Sequence, residues 1–164
     1  GLLQAIHLYF QGEKTEALVF ILPAGLLSLV FAIWLWVDSP TPFTRGVAIP
    51  FLLMGLLMTT VGAVVGYRTP AQVQALEQSL QVDRQVALRD EAARMDKVNQ
   101  AWPLYLGLWA AFGVAGLVCR FATACEFFQG LGIALVFFSG VGLLVDGFAE
   151  RRTHPYTASL RAPG

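Results

Sequence analysis

Four apolar stretches, each about the length that crosses a bilayer, constrain this chain more than anything else in it. They are Ala17–Val37, Val47–Tyr67, Trp102–Cys119 and Phe127–Ala149. A bilayer core needs ~20 apolar residues at ~1.5 Å of helical rise each. Charged side chains are absent from the middle of all four. Only 13% of the 164 residues are charged, against about 25% in an ordinary soluble domain. That leaves too little polar surface to coat a water-soluble globule. The expectation is therefore an all-α, polytopic integral membrane protein: a four-transmembrane-helix bundle in one membrane domain.

The basic residues give an orientation. Lys14, Arg68, Arg84, Arg89, Arg94, Lys97, Arg151, Arg152 and Arg161 fall on one side of such a topology, and only Arg45 and Arg120 on the other. Basic loops stay cytoplasmic. Both termini and the long middle segment are thus expected in the cytoplasm, with two short turns outside, in a bacterial inner membrane.

Between the spans, residues 1–12 read as an interfacial helix broken at Gly12, with Thr15 capping the next helix. Leu8-Tyr9-Phe10-Gln11-Gly12 matches the core of a common tag-removal protease site, and Gly1 stands in place of Met. Ile6 replaces that site's upstream Glu, which favours native sequence. Pro23 and Gly25 are placed to bend span one. Residues 70–101 read as a cytoplasmic amphipathic helical segment, with Thr69 as N-cap and Pro70 at the first helical position. Its apolar register shifts at Gln81-Val82-Asp83, which predicts a break there. The second half then runs into span three past Trp102-Pro103.

Glycines mark the packing faces: Gly55, Gly62 and Gly66 in span two, Gly140 and Gly142 in span four. Small residues let helix backbones approach closely. Intramolecular packing is the favoured use. Spans two and four also look related. Phe43-Thr44-Arg45-Gly46-Val47-Ala48-Ile49 resembles Phe127-Phe128-Gln129-Gly130-Leu131-Gly132-Ile133, and Gly66–Pro70 echoes Gly147-Phe148 and Arg152–Pro155 after a shift of register. A duplication would relate two hairpins about an axis along the membrane normal, as in some transporters. Convergent use of Gly and Phe at membrane boundaries is the alternative.

Cys119 and Cys125 flank the second outer turn, on the oxidising side of the expected topology. A disulfide between them and two free thiols both remain open. His7 and His154 are far apart and read as interfacial. No metal or cofactor is implied, and zero net charge gives no basic face for nucleic acid.

Catalytic signatures are missing: no H-E-x-x-H, G-x-S-x-G or P-loop. Glu91-Ala92-Ala93-Arg94 with Asn99 resembles a motif of the membrane glutathione-dependent, eicosanoid-type enzymes. Its spacing departs from that family's pattern and two spans precede it, so the activity does not carry over. The best polar cluster is at the inner boundary: Asp146, Glu150, Arg151 and Arg152 after span four, Tyr67 and Arg68 at the end of span two. An acid within a span faces protein or a wet cavity and has a partner. Arg68 or Arg152 is the expected partner of Asp146.

The leading functional expectation is a non-enzymatic inner-membrane binding protein that packs against another membrane component, as an accessory subunit or as immunity against a membrane-inserting toxin. A homo-oligomeric transporter or lipid- and anion-binding protein is the alternative. A lipid-modifying enzyme using the Glu150–Tyr156 region is the third reading.

Overall fold

The computed structural model describes residues 1–162. They form α1 (Leu2–Thr15), a π-helical segment (Glu16–Ile21), α2 (Leu22–Asp38), α3 (Pro42–Val82), α4 (Arg84–Ala122) and α5 (Glu126–Arg161). No strand occurs among the described residues. The α1, π and α2 pieces are one continuous rod, so the chain is four helices of 37, 41, 39 and 36 residues, each long and apolar enough to cross a membrane. Each is about 55–60 Å long at ~1.5 Å per residue, nearly twice a ~30 Å bilayer core. Every rod therefore has an apolar half and a polar half. The start of α1, the end of α5 and the α3–α4 turn lie together at the polar end.

Helix ends follow local chemistry. Thr41 Oγ1 accepts from the Thr44 amide at 3.2 Å while Thr44 Oγ1 accepts from the Thr41 amide at 3.0 Å, with Pro42 in the first turn. The expected break near residue 82 is there. Asp83 turns the chain and caps α4, its Oδ1 accepting from the Val86 amide at 3.1 Å.

Three expected helix boundaries are absent. The helix runs unbroken through Gly12 and Thr15, and a π segment stands directly before Pro23. Proline cannot donate to the carbonyl four residues back, here Val19, and its ring crowds that carbonyl; a widened turn relieves both. Thr69 does not cap a helix. It is 2% exposed inside α3, and its hydroxyl donates to the Val65 carbonyl at 2.6 Å. Helix α3 continues past Pro70 because Val73, Leu76 and Leu80 bury against the core of the polar half.

In the apolar half the packing order is α2–α3–α5–α4, an open row whose outer helices α2 and α4 each lean on one main neighbour. The polar half closes into a bundle around Ile6, Tyr9, Phe10, Met95, Tyr156 and Leu160. Tyr9 and Phe10, in the segment that resembles a protease site, are thus central packing residues.

Glycines set the approach distances, and most of the expected ones do so. On α3, Gly55, Gly62 and Gly66 face α2 and the π segment; a Cβ on Gly62 would lie 2.7 Å from the Leu22 nitrogen, and one on Gly66 would strike the Leu18 side chain. Gly142 makes room for the Trp109 indole. Gly140 does not pack, since nothing lies near it.

The row has an internal symmetry. A Cβ on Gly46 would strike the Phe127 carbonyl, and one on Gly130 would strike the Phe43 carbonyl. That reciprocal contact is what a two-fold axis between α3 and α5 produces. Phe127 follows Phe43 by 84 residues, and the same offset relates Gly130 to Gly46, Arg152 to Arg68 and Thr153 to Thr69. It also relates the end of α4 to that of α2 and the start of α5 to that of α3. Thr69 and Thr153 are both 2% exposed. The molecule is two helical hairpins in the same orientation, and the Arg-Thr match needs no shift of register.

Gly130→Ala is expected to cost about 1–3 kcal/mol, because a backbone carbonyl cannot move aside as a side chain can. Gly140→Ala should stay within about 0.5 kcal/mol. Thermal unfolding of both variants in the same detergent checks this.

Candidate functional site

The polar residues expected at one inner-boundary cluster are distributed among separate partners. Asp146 Oδ2 accepts from Trp109 Nε1 at 2.6 Å, so its partner is an indole on α4 and neither Arg68 nor Arg152. Arg152 pairs instead with Glu16 of the π segment. Glu150 lies 3.6 Å from His154 Nε2, and the Arg151 guanidinium sits 6.0 Å from the centre of the Phe148 ring. Tyr67 and Arg68 point outward, Tyr67 being 90% exposed.

The symmetry explains why Arg152 has an acid and Arg68 has none. The counterpart of Glu16 is Gln100, and the counterparts of Trp109 and Asp146 are Gly25 and Gly62. In the first hairpin that position is filled by close backbone contact; in the second it holds a tryptophan and an acid.

The Glu16–Arg152 pair floors a groove of about 780 Å³ between the α1–π rod and α5. Phe20, Leu144, Val145 and Phe148 form its apolar end; Gln11, Thr15, Arg151 and Arg152 form its polar end. Gly12 lets the arginine cross the rod, since a Cβ there would lie 3.0 Å from Arg152 Cδ. Arg152 Nε is buried without an acceptor. With Glu16 committed to Arg152, Arg151 is the uncompensated charge of the groove, whose net charge is positive. Length and composition put the boundary of the apolar half across this groove, between Glu16 and Ala17 on one wall and near Ala149 on the other. The π segment lines it too, and such segments concentrate at functional sites.

The residues of the Glu91–Arg94 motif serve the polar bundle. Arg94 donates to both Glu91 oxygens, at 2.8 and 2.7 Å, and the Tyr156 hydroxyl donates to Glu91 Oε1 at 2.9 Å. Tyr9 stacks on Tyr156 with ring centroids 4.3 Å apart. Burial, then the Glu91 charge, raises the Tyr156 hydroxyl far above its ordinary range; burial and Glu13 do the same for Tyr9. The hydrogen bonds to Glu91 hold Arg94 protonated against the opposing effect of burial. Asn99 Nδ2 donates to Thr157 Oγ1 at 3.0 Å and Trp102 Nε1 to Thr153 Oγ1 at 3.2 Å, joining α4 to α5.

Cys119 and Cys125 are free thiols, the first half-buried and the second exposed. Among the described residues, no three His, Cys, Asp or Glu side chains converge as a metal site would require.

The fold and these sites define an all-helical protein of four membrane-length helices. No family model, no curated protein and no solved structure matches the chain.

Tyr156→Phe is expected to lower stability by about 1–3 kcal/mol, the worth of a hydrogen bond to a buried carboxylate. Ser159→Ala, whose hydroxyl donates only to a local carbonyl at 2.7 Å, should be near neutral. Chemical denaturation followed by tyrosine absorbance separates the two.

Proposed function

We propose that this is a non-enzymatic membrane protein that binds an anionic phospholipid in the groove between the α1–π rod and α5. The observation that carries the reading is the groove's two-part lining, apolar from Phe20 to Phe148 and cationic at Arg151 and Arg152, at the level where the apolar half ends. A lipid has that same sequence of chemistries along its length. Its phosphate would take Arg151 and the unpartnered Nε of Arg152, and an acyl chain would lie along Leu144 and Phe148. Basic side chains at an anionic membrane surface contribute about 1 kcal/mol each. In this reading the polar half faces the cytoplasm, as the basic-residue distribution favours.

The second reading is an accessory subunit or an immunity protein that packs against another membrane protein. Gly55, Gly62 and Gly66 lend it nothing, because they are taken up by α2 and the π segment. Gly140 and Gly147 favour it, since both face open space seven residues apart on α5.

Purified protein in nanodiscs of mixed phosphatidylglycerol and phosphatidylcholine, released into native mass spectrometry, tests the first reading. Wild type should retain phosphatidylglycerol in preference. Arg151→Gln with Arg152→Gln should lower that retention roughly tenfold or more. Glu16→Gln, which frees Arg152, should raise it. Equal retention of the two lipids by the wild type would sink the proposal.

A further inference from the structure

Helices α3 and α5 touch backbone to backbone at Gly46 and Gly130, and farther toward the polar half a cavity of about 160 Å³ lies between them. This cavity sits on the internal two-fold axis. The 84-residue offset exchanges its walls, pairing Leu57 with Val141, Met58 with Gly142 and Val61 with Val145. Two lining residues break the symmetry. Trp109 and Asp146 stand where the offset puts Gly25 and Gly62. In the first hairpin those glycines let the helices close on each other. A Cβ on Gly25 would lie 2.5 Å from the Thr59 nitrogen, and one on Gly62 2.7 Å from the Leu22 nitrogen. The second hairpin places an indole and a carboxylate beside the axis instead.

Asp146 is the only side chain lining the cavity that carries oxygen. It is half-buried, and Trp109 Nε1 occupies only its Oδ2. Among the described residues nothing donates to Oδ1, and that atom keeps accessible surface. No cationic side chain pairs with it: Arg152 goes to Glu16, and Arg151 lies over the Phe148 ring. An ionised carboxylate among aliphatic side chains is costly unless a cation meets it. The charge and the apolar walls together define the occupant. A hard metal ion takes about six or more oxygens, which one carboxylate does not supply. An organic cation needs only the one charge, and tryptophan is the best aromatic neighbour for it. A cavity of ~150 Å³ holds a body the size of benzene.

We infer that the axial cavity binds a small organic cation, an ammonium group on an apolar body about the size of a benzene ring. Asp146 Oδ1 meets the ammonium beside the Trp109 indole. The body lies against Leu57, Met58 and Val141. The site shares only Val145 with the lipid groove and does not rest on the lipid reading.

The probe is para-fluorobenzylammonium, with para-fluorobenzyl alcohol as its uncharged analogue of the same size. Each is titrated into the protein in phosphatidylcholine nanodiscs, whose headgroups carry no net charge. Binding is read by fluorine NMR line broadening against empty nanodiscs. The ammonium is expected to bind with a Kd of the order of 1 mM, as an efficient nine-atom fragment does. Asp146→Asn keeps the shape of the side chain and an acceptor for Trp109 Nε1. It should weaken the ammonium at least about tenfold and leave the alcohol unchanged. Val141→Phe fills the cavity without touching the acid and should abolish binding of both compounds. The inference is overturned if the alcohol binds wild type as tightly as the ammonium does, which would make the cavity merely apolar. It is also overturned if Asp146→Asn binds the ammonium as wild type does, or if Val141→Phe leaves ammonium binding untouched.

Discussion

Two helices held almost backbone to backbone are the joint on which this molecule depends. Gly46 lies against the Phe127 carbonyl and Gly130 against the Phe43 carbonyl, so α3 and α5 cross with no side chain between them. In lipid there is no hydrophobic drive to bring helices together, since acyl chains are as apolar as leucine; close van der Waals contact must supply the attraction. The open row in the apolar half follows from this. Each pair in it is joined where a glycine removes the obstacle: Gly25, Gly55 and Gly62 between α2 and α3, Gly116, Gly132 and Gly142 between α4 and α5. Away from those places the helices turn leucine, valine and phenylalanine outward, and only 6% of the most apolar stretch of α4 is buried.

The two hairpins share a frame and differ in what they carry. Glu16, Trp109 and Asp146 have Gln100, Gly25 and Gly62 as counterparts, so the acids that face the α5 side of the molecule are missing from the α3 side. One side has a clamped arginine, Arg152, and the other a bare one, Arg68. In the polar half Tyr9 stacks on Tyr156 where α1 meets α5, and a groove of about 760 Å³ lies where α3 meets α4. Such division of labour follows when a symmetric frame no longer has to serve both halves alike.

Much of this frame was legible in the residues. Long uncharged runs gave the four rods, the register shift at Gln81–Asp83 gave the turn, and the Phe-x-x-Gly pair gave the relation between the hairpins. The misread boundaries share one cause. Thr69-Pro70 has the chemistry of a helix start, yet local capping is worth about 1 kcal/mol and yields to a whole buried face beyond it. Gly12 has the chemistry of a helix end, yet it is glycine because the Arg152 side chain crosses there. The partners of Asp146 and Arg152 were illegible for another reason. A tryptophan 37 residues away and a glutamate 136 residues away leave no local pattern. The one available hint for the first was Gly142, a gap sized for an indole.

Helix α3 runs without interruption from Thr41, where it is capped in the α2–α3 turn, to Asp83 at the far end of the polar half. A rod of 41 residues is about 60 Å long, so 5° of tilt displaces its end by about 5 Å. Membrane helices change tilt when lipid thickness does. The polar end of α3 is one wall of the groove beside α4, so a change of tilt in the apolar half is carried along the whole rod to that wall. The rod is a lever that joins the apolar half to the polar half.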